Sequence, residues 1–260
     1  MRPDSSFSLQ RIGLIALLTT LVSMAAPAIA AAQALNINLG SGAGLTERVV
    51  QLIGLMTILS LAPSIVIMTT AFVRIVVVLS LLRTAIGLQQ SPPNAVIVSL
   101  ALFLTAIVMA PTFEASYEAG IKPLMDQQMS LPDAFDASAT PVKTFMLGQV
   151  DDKDLGLFIR LSKIDKPETR ADTPLHVLTP AFMISELKRA FEIGFLLFIP
   201  FLVIDLVVAS ILMSMGMMML PPAVVSLPFK LIFFVLVDGW GLVCGSLVES
   251  FNQGRIPPPG

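Results

Sequence analysis

From Val49 to Ile86 the chain is almost continuously apolar, broken most sharply by Pro63 and Arg74. As one helix this stretch would run about 57 Å, nearly twice the ~30 Å hydrocarbon core of a bilayer. The pattern predicts either a kink at Pro63 or a segment that is not one simple span. GLQQSPP, residues 87 to 93, is rich in breakers and reads as a turn. A second apolar helix is expected from Asn94 to Met109, ending at Pro111. Residues 49–112 therefore read as one helical hairpin.

The character changes over residues 113–178, which hold 11 of the 18 acidic and 7 of the 16 basic residues. No stretch alternates as a strand does, and short helices fit best. Asp151 and Asp152 are placed to cap a helix whose apolar residues Leu155, Phe158 and Ile159 recur at helical spacing. Val142, Phe145 and Met146 repeat the spacing one element earlier. Thr179 and Pro180 then look like a helix start, a hydroxyl cap followed by proline in the first turn. The helix from there to Met215 is polar over SELKRAFE and apolar afterwards, with a kink expected at Pro200. It stops at Gly216, Met217, Met218 and Met219, with Pro221 and Pro222 beyond. Val224 to Phe251 is the last apolar segment. Residues 179–251 thus form a second hairpin around the Met-rich loop 215–222, and residues 252–260 a disordered tail.

Composition agrees with a membrane protein. The chain is 55% hydrophobic and 13% charged, with a mean hydropathy of +0.85, where soluble domains carry roughly 25% charged residues. The expected fold is all-α: two long kinked helical hairpins with a helical soluble insert between them. The net charge of −2 offers nothing to nucleic acid. One histidine and one cysteine make neither an internal disulfide nor a usual zinc site. No cofactor or metal is expected. GxxxxGK[ST], HExxH and GxSxG patterns are missing, so enzyme chemistry has no residues to stand on.

The first 32 residues read as a cleaved secretory signal. Arg2 and Arg11 supply the positive start and IGLIALLTTLV, residues 12 to 22, the apolar region. Ala28 and Ala30 bracket a small-residue cleavage site after Pro27, and Ala30 to Ala32 offer a second. A flexible lead-in, residues 33–48, follows. Cleavage would place the mature N-terminus, the insert and the C-terminus outside the cytoplasm.

Arg74, Asp205, Lys230 and Asp238 lie within or beside apolar runs, where an unpaired charge costs at least ~2.5 kcal/mol at the bilayer centre. Ion pairs between helices or subunits are the expected solution. A proton or ion relay through Asp205 and Asp238, as in a small-solute transporter, is the competing one. Gly241 and Gly245, and Ser210 and Ser214, repeat at the four-residue spacing that lets helices approach closely. Methionine is flexible and polarizable, so Met217 to Met219 suit either a soft constriction or plain packing of a membrane core. Gly216, Pro221 and Pro222 would act as the hinge of their loop. Phe145 and Phe158 suit subunit contacts or an intrachain core equally.

PAFMISELKRAFEIGF (residues 180 to 195) and PFLVIDLVVASILMSMGMMMLPP (residues 200 to 222) are similar to signatures of the FliP family. So is the stretch from Pro63 to Thr105. FliP proteins and their R-type injectisome relatives belong to type III secretion export gates. The resemblance implies a core gate subunit of the inner membrane and flagellar basal body. It implies a pentamer assembled with FliQ and FliR, working beside FlhA and FlhB and passing unfolded flagellar export substrates. It also implies that Met217, Met218 and Met219 form a gasket in the channel. Asp205, Lys230 and Glu186 would then find partners across subunit boundaries, and the hairpins would pack on sister subunits as well as lipid. A purely structural basal-body scaffold remains a further alternative.

Overall fold

The computed structural model describes residues 45–252 apart from residues 89, 165, 166 and 218. The signal peptide with Ala28, Ala30 and Ala32, most of the lead-in, Met218 and the tail beyond Asn252 lie outside the described residues. Contacts divide the chain between Ser60 and Leu61. In the first unit the described residues are helical, with Val49, Val50, Ile53 and Met56 exposed. The packing described below is that of the second unit.

The described residues are helical with no strand, as the absence of period-two alternation predicts. Helix α1 spans Leu45–Thr69, α2 Phe72–Ile86 and α3 Asn94–Ser116. A π-turn over Tyr117–Ile121 carries α3 into the short α4, Lys122–Met125. The insert continues as α5, Leu131–Gln149, and α6, Asp152–Ser162. Helix α7 runs over Leu175–Ser214, and α8, Pro222–Leu236, and α9, Gly239–Asn252, return from the Met-rich loop. Asn94–Met125 and Leu175–Ser214 are each long and apolar enough to cross a membrane. Two bent pairs pass the same test jointly: Pro63–Thr69 with Phe72–Ile86, and Pro222–Leu236 with Gly239–Asn252.

Several helix ends differ from the sequence expectation. The first apolar run is not one simple span: α1 continues through Pro63, and the run breaks at Thr70 and Ala71 with a 78° bend. Proline removes one backbone donor and crowds one carbonyl, which α1 accommodates. At the break, the Thr70 hydroxyl accepts from the Phe72 N–H at 3.5 Å. Helix α3 continues past Pro111 instead of ending there. Helix α7 begins at Leu175, with Pro174 at its cap, so Pro180 sits inside it. The Pro174 carbonyl accepts from Val177 and Leu178 at 3.0 Å, fixing the earlier start. The last apolar run is two helices, bent by 62° at Val237 and Asp238.

Helix α2 is the most enclosed element. Ile75, Val78, Leu79 and Leu82 are fully buried, and α2 packs chiefly on α7 and α3. Burial of most of its surface matches its mostly apolar sequence, while Ser80, Arg83 and Thr84 lie on the less buried side. A second, smaller core joins the insert to α7 through Met146, Leu155, Leu178 and Phe182. Phe145 and Phe158 pack against it. Phe145 meets Phe182 edge-on at 6.1 Å and stacks on Phe251 at 6.3 Å. The structure thus engages both phenylalanines inside their own chain, the i, i+3, i+4 faces of α5 and α6 closing on α7.

Asp151 caps α6, accepting from the Lys153 N–H at 2.8 Å. That backbone bond holds its carboxyl below the usual carboxylate range. Arg170 donates to the Leu147 and Val150 carbonyls, satisfying orphan acceptors at the end of α5.

At Gly120, in the π-turn, an added Cβ would overlap the Ala134 carbonyl and the Ser138 hydroxyl of α5. Backbone cannot yield as a side-chain tip does, so Gly120→Ala should destabilise by about 1–3 kcal/mol. The control Gly156→Ala meets only the Arg160 guanidinium, at 3.8 Å, and should be neutral or slightly stabilising. Thermal unfolding of both variants in detergent checks the contrast; equal transitions would contradict the close approach.

Candidate functional site: an apolar hairpin tip above two inter-helix ion pairs

The Met-rich loop hangs from the end of α7. Gly216 adopts φ +75°, a left-handed conformation that glycine takes at little cost. Its N–H donates to the Met213 carbonyl at 3.1 Å, and the Met217 N–H reaches back to Leu212 at 3.0 Å. These two bonds are the Schellman termination, which satisfies the last carbonyls of a helix. Pro221 then caps α8, with Pro222 in its first turn, where a proline ring is tolerated. The loop is therefore held at both ends by backbone geometry and carries no charged group between them. Met219 is 99% exposed and Met217 39%.

Below the loop, Lys230 on α8 donates to the Asp205 carboxylate on α7 at 2.6 Å. Ser226 donates to the other Asp205 oxygen at 2.5 Å. Lys230 is also 3.5 Å from the Ala85 carbonyl, near the end of α2. One cation thus ties three helices together. Between this pair and the loop, α7 and α8 diverge around an open groove of ≈ 370 Å³ with no polar lining. Val207, Ile211, Val225 and Phe229 form part of its wall.

The second pair sits near the opposite end of α2. Arg74 is 1% exposed and Glu186 is fully buried. Arg74 Nε donates to Glu186 at 2.8 Å and Nη2 bonds the same carboxylate, giving a two-pronged pair. Nη2 also donates to Gln149 at 3.0 Å, and Nη1 to Ser250 at 3.2 Å. The guanidinium lies 3.8 Å over the Phe251 ring. Gln149 bonds the Phe251 carbonyl at 3.2 Å and accepts from Arg189 at 3.0 Å. Helices α2, α5, α7 and α9 converge on one cation. Beside this hub, Ser185 donates to Asp154 at 2.8 Å and Lys188 pairs with Asp154 at 3.3 Å, binding α6 to α7.

Both pairs close within one chain, Arg74–Glu186 buried and Lys230–Asp205 half-buried. For Arg74, Glu186, Asp205 and Lys230 the helix packing brings opposite charges face to face between helices of the same chain. Asp238 joins no ion pair among the described residues. It is exposed at the bend between α8 and α9, with φ +50°, and its carbonyl accepts from Leu242 at 3.0 Å. Ser210 and Ser214 are exposed, and their hydroxyls bond carbonyls of their own helix. Gly241 and Gly245 are exposed as well, and Gly245 has nothing within 4 Å of an added Cβ. Neither small-residue pair is buried against a neighbouring helix of this chain.

Gln149, Ser226, Ser250 and Phe251 were not singled out by sequence. Ser226 precedes Lys230 by four residues, and that spacing places both on one helix face. Gln149 and Ser250 carry no such signal, since only the fold brings them to Arg74. Among the described residues no group of three or more His, Cys, Asp or Glu side chains could hold a metal ion.

Glu186→Ala leaves the Arg74 charge buried without its counter-ion, a change that typically costs ~3–5 kcal/mol. Replacing both with apolar residues of similar volume, Arg74→Met with Glu186→Leu, should recover much of that loss. Unfolding midpoints in detergent for the single and double variants measure the difference. A single variant as stable as the parent would contradict the hub.

The FliP family profile matches residues 55–247. A flagellar biosynthetic protein FliP of Caulobacter vibrioides is 77% identical over 247 residues, covering 95% of this chain and 93% of its own. The protein of the same name from Bacillus subtilis is 55% identical, covering 78% and 91%. That of Agrobacterium fabrum is 46% identical, covering 91% and 98%. The Arg74–Glu186 and Asp205–Lys230 pairs and the Met-rich tip all fall within the matched region, and this chain belongs to the FliP family.

Proposed function

We propose that this chain is a core subunit of the flagellar type III protein export gate, in the bacterial inner membrane at the flagellar basal body. Copies of it form a ring, a pentamer by the family resemblance, together with FliQ and FliR and beside FlhA and FlhB. Unfolded flagellar proteins pass through the ring, and the Met-rich loops close it at rest.

The observation that carries this reading is the hairpin tip. Met219 is almost wholly exposed on a loop fixed at Gly216 and Pro221 and free of charge between them. In a single chain such exposure leaves apolar surface against solvent or lipid. In a ring the same side chains meet their counterparts. A narrow apolar constriction excludes water and ions by dewetting. Thioethers demand no hydrogen bonds and repack readily around a passing chain. The Asp205–Lys230 pair braces the hairpin below, so opening would move the loop and leave the helices in place.

Ion-coupled transport of a small solute has weaker support. Asp205 is already held by Lys230 and Ser226, and Asp238 stands at a helix bend with no ion partner among the described residues. A scaffold without a pore would give the exposed methionines no task.

Met217→Ala, Met218→Ala and Met219→Ala combined in the assembled complex should raise the resting leak of small ions. Conductance of the complex in planar bilayers reports it. An unchanged leak from a complex of unchanged size would overturn the gasket. A solute flux by the purified chain, abolished by Asp238→Asn, would favour the transporter.

A further inference from the structure

The end of the insert carries an apolar surface that the chain itself leaves uncovered. The π-turn Tyr117–Ile121 and α4 lead through a tight turn into α5, which returns alongside. The two arms approach most closely where Gly120 meets Ala134 and Ser138. Tyr117, Ile121 and Met125 recur every four residues along the first arm, and Leu131 and Phe135 do so along the second. Each is 46–71% exposed. The arms are antiparallel and both right-handed, so residues just past the contact line turn to the same side on each. The five side chains therefore make one continuous face, with Gly120 as its floor.

Acidic residues border that face. Glu114 and Glu118 lie outside the Tyr117 stripe, Asp126 at the turn and Asp136 outside the Phe135 stripe. All four are exposed, and none joins an ion pair among the described residues; Lys122, exposed beside Ile121, offsets one of them and leaves the border net acidic. An anionic bilayer surface would be repelled by this border. Two copies meeting through the same face would set like charges against each other.

The chain carries the complementary surface elsewhere. Helix α6 buries Asp154 and Leu155 and turns Lys153, Leu157, Arg160 and Leu161 outward. These four positions share its outer side at i, i+4, i+7 and i+8. Lys153 and Arg160 have no ion-pair partner among the described residues, and Leu161 is 64% exposed. Cations alternate with leucines there, as acids flank apolar side chains on the tip.

We infer that the acidic, apolar tip of one copy docks the outer face of α6 on the next. A contact between two different faces is head-to-tail, and when its rotation closes it generates a ring. The inference rests on the reading that copies of this chain assemble, and it names the surfaces by which they do so outside the apolar helices. Apolar contact between the tip stripe and Leu157 and Leu161 would supply the attraction. The flanking charges would set the register and exclude the like-to-like pairing.

The test uses the full chain in membranes, with Cys244→Ser as background. One copy carries Met125→Cys and one tag; the other carries Leu161→Cys and a second tag. Mild oxidation should give a disulfide-linked species bearing both tags, and neither cysteine alone should do so. Glu118→Lys with Asp136→Lys in every copy should abolish that species, and adding Lys153→Glu with Arg160→Glu should restore it. All of these side chains are exposed, so their exchange leaves the fold intact. A complex of unchanged size with no bond between positions 125 and 161 would overturn the interface while leaving the ring itself standing. Crosslinks insensitive to charge reversal would also overturn it, as would capture of position 125 by a different protein.

Discussion

One buried cation organises this chain. Arg74 stands in the most enclosed helix of the fold, where an unneutralised guanidinium would cost several kcal/mol. Its five donors demand acceptors from several directions. Glu186 supplies them from α7, Gln149 from the end of α5, and Ser250 from α9, while Phe251 covers the flat face. No two of these helices could shift independently without stranding the charge. The insert, the second hairpin and the last helix are thereby registered on α2. Desolvation typically offsets much of the attraction in such a pair, so its part here is argued from the four helices that it brings into register.

Lys230 performs the corresponding task towards the other end of α2. It joins Asp205 to the Ala85 carbonyl and closes the base of the α7–α8 hairpin. Beyond it the helices separate around an apolar groove and then give way to the methionine loop. Charges are paired between helices of the frame, and the loop carries exposed thioethers at Met217 and Met219. That division suits a gate that yields at its tip while its frame holds. Both charge clusters are satisfied within the chain, which leaves exposed surfaces for the proposed assembly. The insert offers two such surfaces of opposite charge.

The all-helical architecture was legible from the apolar periods and the missing strand alternation. The charges that matter were legible too, since a residue such as Arg74 or Lys230 in an apolar run announces a need for a partner. Their partners were less so. Glu186 sits 112 positions from Arg74, and nothing local relates them. Gln149 and Ser250 are ordinary polar residues until tertiary packing makes them ligands of a cation. Two helix ends were misplaced where a proline was weighed as a boundary, Pro111 as a stop and Pro180 as a start. Pro111 and Pro180 lie inside helices because tertiary packing outweighs the loss of one backbone bond. Conversely, the bends at Thr70 and at Asp238 carry no proline, and only the fold locates them.

The central claim is that the methionine tip faces the path of an exported chain. Site-specific crosslinking tests it most directly. A photoreactive residue replaces Met219 in the assembled complex, and an export substrate fused to a folded plug is stalled during passage. The account predicts crosslinks from position 219 to the unfolded part of the stalled substrate, and none from Phe135 on the insert tip. Crosslinks from position 219 only to lipid or to neighbouring subunits, with the substrate demonstrably stalled, would contradict it.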